Sequence, residues 1–132
     1  MMTRLRPFLM FQEQNAEEAM NFYVSLFPGA KVTDIQRYTA AGPGPEGTVM
    51  RADFTVAGQD VICIDSPAKH AFAFTPSFSF FVDCDSEADL RRWHAALAAG
   101  GMELMPPNNY GFSQLFTWLQ DRFGVSWQLN LP

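Results

Sequence analysis

Seven consecutive residues, Val125-Ser126-Trp127-Gln128-Leu129-Asn130-Leu131, alternate apolar and polar without a break. Successive side chains of an extended chain point to opposite faces, so this segment is a strand with an apolar back and a polar front. Ser77-Phe78-Ser79-Phe80 alternates in the same way, with Ser77 and Ser79 on the polar side. Two polar strand faces in one small chain predict a sheet that curves around a wet cavity.

At 132 residues the chain suits one domain over 1–132. Thirteen phenylalanines and seven methionines are more than a core this size usually needs, which leaves some to line an apolar pocket. The net charge of −5 and scattered basic residues argue against a nucleic-acid partner. The first residues lack the apolar stretch of a signal peptide, and no apolar run approaches the roughly 20 residues that cross a bilayer. Cys63 and Cys84 sit in apolar, strand-like contexts and read as buried free thiols. The expectation is a soluble cytoplasmic protein with no membrane contact.

The order of elements carries the fold. A strand is predicted over 5–12, then a helix opened by a capping-box pattern of Asn15 and Glu18 and stopped by Pro28-Gly29. Strands follow near 31–38, 49–56 and 61–65, the last two joined by a tight Gly58-Gln59-Asp60 turn. The Gly- and Pro-rich stretch 40–47 is a loop, and 66–74 separates two halves. The second half repeats the first: strand 77–82, a helix capped by Ser86 and Asp89 and ended by Gly100-Gly101, then strands near 102–105, 114–119 and 125–131. Met20, Tyr23, Leu26 and Phe27 match Leu90, Trp93, Ala96 and Leu97 at an offset of 70. Residues 60–64 set beside 125–129 give an offset of 65. Each half, about 5–65 and 75–131, is therefore a βαβββ module. Together they predict an α+β fold, a cupped eight-stranded mixed sheet with helices on its convex face.

Two βαβββ modules around a cleft resemble the vicinal-oxygen-chelate superfamily of glyoxalase I, extradiol dioxygenases and fosfomycin-resistance proteins. Asn15-Ala16-Glu17-Glu18-Ala19-Met20-Asn21-Phe22-Tyr23 and Asp121-Arg122-Phe123-Gly124-Val125-Ser126-Trp127-Gln128 are similar to the PhnB-like branch. That branch is also labelled 3-demethylubiquinone-9 3-methyltransferase. The resemblance implies a divalent metal held by His, Gln or Glu on the first and last strands of each module. The corresponding positions here are Phe8, Ser77, Cys63 and Gln128, and this set does not make a Zn²⁺ or Fe²⁺ site. No cofactor is expected. His70, in a loop, and His94, on a polar helix face, fall at none of these positions.

Alternation places Phe8, Met10, Cys63, Ser77, Ser79, Ser126, Gln128 and Asn130 on the cleft face, with Tyr110 at its mouth. Trp127 falls with Leu129 on the side of the helix. Each polar residue also has a plain reading: Gln128 bonding a neighbour or water, the serines as small fillers, Cys63 as a buried hydrophobe. Asp83 and Asp85 read as helix-capping carboxylates. The favoured function is metal-free binding of a small, partly apolar molecule. A metal-dependent lyase or dioxygenase is the alternative, and a methyltransferase a further one. Against methyl transfer, the only Gly-dense stretch, Gly42 to Gly47, is interleaved with Pro and followed by a strand. Sheet edges and the apolar segment His70-Ala71-Phe72-Ala73-Phe74 predict a homodimer, as the resemblance also implies.

Overall fold

The computed structural model describes residues 2–132. Its elements run β1 (Phe8–Phe11), α1 (Ala16–Leu26), β2 (Lys31–Arg37), β3 (Val49–Val56), β4 (Gln59–Asp65), β5 (Ser79–Asp83), α2 (Glu87–Ala98), β6 (Met102–Asn108), β7 (Leu115–Gln120) and β8 (Ser126–Leu131). The α+β class and the twice-repeated βαβββ order hold. The strands form two mixed four-stranded sheets, ordered β1-β4-β3-β2 and β5-β8-β7-β6. The chain divides into a first compact unit ending at Ala71 and a second, Phe72–Pro132.

In the first unit β1 pairs parallel with β4, while β2–β3 and β3–β4 are antiparallel. A parallel pair needs a crossover, and α1 supplies the first part of it. Leu9, Phe11, Ala52, Phe54, Val61 and Cys63 are buried on one sheet face, together with Ala19, Met20 and Tyr23 of α1. The Tyr23 ring lies 6.4 Å from that of Phe54, which fixes the helix on that face. The second unit repeats the scheme with β5 parallel to β8. Leu90, Trp93 and Leu97 of α2 are buried, as are Thr117, Leu119, Trp127 and Leu129 of the sheet. The helix offset of 70 therefore equates core positions: Met20 with Leu90, Tyr23 with Trp93, Phe27 with Leu97.

Local detail departs from expectation in three places. Asn15 stands at the N-cap of α1, but its side chain makes no capping bond. The Ala16 amide instead donates to Asp65 Oδ1, 2.9 Å away, so a carboxylate from the end of β4 closes the helix. The α2 cap forms as its sequence predicts, with Ser86 Oγ accepting from the Asp89 amide at 3.1 Å. The β3–β4 turn is Ala57-Gly58, because Val56 pairs with Gln59 and the two turn residues have φ of 48° and 81°. This is the doubly positive-φ turn that matches the twist of a two-residue hairpin, and it leaves Gln59 and Asp60 in the strand. β5 begins at Ser79, two residues later than alternation suggested. Pro76 and Ser77 form a turn before it, where Ser77 Oγ shares a hydrogen bond with Thr75 Oγ at 2.8 Å.

Candidate functional site

Register decides which predicted residues share a face. Leu9 pairs with Cys63 and Phe11 with Asp65, and all four are buried. Phe8 and Met10 take the opposite, open face, alongside Ile62 and Ile64. Phe8 is 55% exposed there. Cys63 was expected on this face and is not: it lies in the core, and burial pushes its thiol up to about 12. The cause is parity. The helix-side residues are odd-numbered on both β4 (Val61, Cys63) and β8 (Trp127, Leu129), so only an even offset equates faces. An offset of 65 turns one strand over. An even offset of 66 sets Cys63 against Leu129 and Ile62 against Gln128.

The first unit's open face also carries an ion-pair cluster. Asp53 accepts from Arg6 Nη1 at 3.1 Å and from Arg51 Nε at 3.0 Å. The Arg51 hydrogen bond holds the Asp53 carboxyl below its usual range.

The second unit gathers more of the predicted residues. Ser79 pairs with Ser126, Phe81 with Gln128 and Asp83 with Asn130, all on the face away from α2. β7 adds Phe116, Trp118 and Gln120, opposite Asn130, Gln128 and Ser126. Ser77, one strand turn too early, is not among them. The polar groups bond one another. Ser79 Oγ and Ser126 Oγ are 2.6 Å apart, Trp118 Nε1 donates to Ser126 Oγ at 2.9 Å, and the Gln128 amide meets Ser79 Oγ at 3.2 Å. Asn130 Nδ2 donates to Asp83 Oδ1 at 3.0 Å, so Asp83 serves the sheet rather than the helix.

Beside this network stand aromatic rings. Phe81 lies 6.3 Å from Phe116, and Phe112 packs edge-on to Phe116 at 5.0 Å. Tyr110 stacks on Phe112 at 6.3 Å, and its hydroxyl donates to the Pro106 carbonyl. Phe81 and Phe112 are 55% and 62% exposed. Tyr110 thus stands at the end of this ring cluster. Phe81 and Phe116 were missed, although alternation from Ser79 passes directly to Phe81. Trp127 is core as expected, with Nε1 donating to the buried Asp121 Oδ2 at 3.0 Å.

The remaining candidates are structural. His94 on α2 pairs with Glu103 of β6. His70 lies in an exposed loop, its amide donating to Gln12 Oε1 at 2.6 Å. Among the described residues no three His, Cys, Asp or Glu side chains are grouped to hold a metal ion. The glycine-dense loop is explained by packing. A Cβ on Gly44 would sit 2.5 Å from the Tyr38 ring, whose hydroxyl donates to the Asp65 carbonyl at 3.1 Å.

Paired βαβββ units of this topology define the vicinal-oxygen-chelate fold. The fosfomycin resistance protein FosX from Listeria monocytogenes shares it at 13% identity with a TM-score of 0.64, covering 100% of this chain and 95% of that one. The chain belongs to the family described as 3-demethylubiquinone-9 3-methyltransferase, which matches residues 3–130. It is 48% identical to the PhnB protein from Bacillus cereus, with a TM-score of 0.94 over 98% of this chain and 100% of that one. It is also 25% identical to Protein YjdN of Escherichia coli K12 over 66% of its own length, and spans 58% of that protein. No helix in the described residues is long and apolar enough to cross a membrane.

Proposed function

We propose that this chain is a cytoplasmic, PhnB-like binding protein that takes a small, partly apolar molecule without a catalytic metal. The observation carrying this reading is the open face of the second sheet. There, exposed Phe81 and Phe112 adjoin the half-buried amide of Gln128 and hydroxyl of Ser79. Apolar surface with a few placed polar groups is how small-molecule sites are built. FosX was solved with Mn(II) and a dihydroxypropylphosphonic acid. On the open faces of the first and last strands of each unit, where the family's ligands would stand, this chain has Phe8, Ile62, Ser79 and Gln128, a donor set with no carboxylate or imidazole. Free, buried Cys63 and Cys84 suit a reducing compartment.

The test is elemental analysis of protein purified without chelator, paired with a thermal-shift screen of small metabolites. The expected result is substoichiometric transition metal together with a ligand-induced rise in Tm, since a ligand bound only to the native state raises stability by mass action. One metal ion per chain, lost together with stability on chelation, would overturn the metal-free reading.

The working form is a homodimer. β1, β2, β5 and β6 are edge strands, and Phe72, in the segment between β4 and β5, is 60% exposed. Phe74 lies close to Gly124 within its own unit, so Phe72 is the better probe. Light scattering at micromolar concentration should give a dimer mass for the native chain and a lower average mass for Phe72→Asp. A native monomer would remove the proposal, and an unchanged mass for the variant would remove that segment from the contact.

A further inference from the structure

The hydrogen bonds of the second sheet's open face have a direction, and that direction specifies what the face presents. The Trp118 indole N–H only donates, so Ser126 Oγ accepts from it. Ser126 is 2% exposed, and its own proton finds its acceptor in Ser79 Oγ, 2.6 Å away. A buried hydroxyl left without an acceptor is costly, so the chain runs Trp118 to Ser126 to Ser79. Ser79 Oγ, already accepting, meets the Gln128 amide at 3.2 Å. Two amide orientations are open, because oxygen and nitrogen are assigned from partners. If the carbonyl accepts from Ser79, the Gln128 NH₂ is left to donate. If the NH₂ donates to Ser79, the Ser79 proton is left. Either way the relay ends in a spare donor.

That donor stands beside a ring. Gln128 pairs directly with Phe81, which continues through Phe116 and Phe112 to Tyr110. β5, β7 and β8 bring no Lys or Arg to this sheet, and Asp83 adds a negative charge to the same face. A carboxylate would meet no cation here, whereas a neutral carbonyl oxygen needs only the donor. We infer that this face binds a planar aryl compound carrying an uncharged carbonyl, the ring against Phe81 and Phe112 and the oxygen on the Ser79–Gln128 donor. This specifies the ligand class of the small-molecule reading above and rests on it.

Three probes separate the parts: 2-acetylnaphthalene, its isostere 2-isopropenylnaphthalene, in which CH₂ replaces the oxygen, and cyclohexyl methyl ketone, which has no aromatic ring. Titrations of the full chain, followed by calorimetry and by the Trp118 indole N–H resonance, should rank the aryl ketone about tenfold above the isostere, the value of one hydrogen bond. The non-aromatic ketone should bind weakest. The Trp118 resonance should shift further with the aryl ketone than with the isostere, since polarisation along the hydrogen-bonded chain adds to the ring-current effect that both naphthalenes share. Ser79→Ala should abolish the preference for ketone over isostere while keeping ring affinity. Phe112→Ala, at an exposed position, should weaken both naphthalenes. Equal binding of ketone and isostere overturns the inference, as does a preference that survives Ser79→Ala, or tighter binding of 2-naphthoate than of the ketone. If no naphthalene binds while a metabolite stabilises the chain, this inference fails and the broader reading stands. If neither registers, both fail.

Discussion

Asp65→Ala should cost about 4 kcal/mol of unfolding free energy, from the usual 1–3 kcal/mol for each buried donor left unpaired. The carboxylate is 2% exposed and accepts from the Ala16 amide at 2.9 Å through Oδ1 and from the Val49 amide at 2.8 Å through Oδ2. One side chain therefore closes the N-terminus of α1 and the start of β3 from the end of β4. Alanine strands both buried amides, and it also removes a negative charge from the positive end of the helix. Against a typical stability of 5–15 kcal/mol that is a large fraction. Urea denaturation should show a lower midpoint with little change in slope. Asp65→Asn retains one acceptor oxygen and should fall between the two. A loss under about 1 kcal/mol for the alanine variant would mean that the two amides find other partners.

Gly101→Ala should be nearly as damaging, at about 3 kcal/mol, the upper end of overpacking costs. A Cβ there would lie 2.1 Å from the Gln120 carbonyl oxygen and 2.9 Å from the Asp121 carbonyl carbon. Both obstacles are backbone, so no rotamer change relieves them. The neighbourhood adds to the cost, because Asp121 is itself buried and accepts from Phe123, Val125 and Trp127. Gly47→Ala is the control: nothing lies within 4 Å of its Cβ position, and only its positive φ of 88° opposes the change. That substitution should cost about 1 kcal/mol. Equal effects at the two positions would show that conformation, not close approach, is what Gly101 provides.

Asp65 and Asp121 also mark the limit of what the chain discloses before folding. Strands, helices and their twofold repeat were legible because period and stop signals are local. The two aspartates read as ordinary loop or strand-end carboxylates, since their partners Ala16 and Val49 lie 49 and 16 residues away in sequence from Asp65. The same distance explains the false cap at Asn15: the motif was present, and a carboxylate brought by the sheet took its place. On the candidate site, alternation placed Phe8, Met10, Ser79, Ser126, Gln128 and Asn130 correctly on open faces. It failed for Cys63 because matching two strands by hydrophobicity alone does not resolve one residue, and one residue exchanges the faces. It failed for Ser77 because Pro76 holds the chain in a turn before the strand begins. The ring cluster of Phe81, Phe116, Phe112 and Tyr110 assembles from β5, β7 and a loop, which no single stretch of sequence displays.

Among the described residues every ladder pairing joins strands of the same half, within the set β1 to β4 or within the set β5 to β8. The consequence is one of timing. Once residue 71 has left the ribosome, each partner the first sheet needs already exists, and nothing later in the message is required to complete its hydrogen bonds. The antiparallel pairings of β2 with β3 and of β3 with β4 are local and close quickly, and the longer-range β1–β4 pairing completes the sheet. Synthesis proceeds at roughly 5–20 residues per second, so the leading half has several seconds to fold while the trailing half is still being made. A nascent chain with its first sheet already formed keeps the inner strands β3 and β4 out of non-native pairings during that interval and leaves only the β1 and β2 edges open.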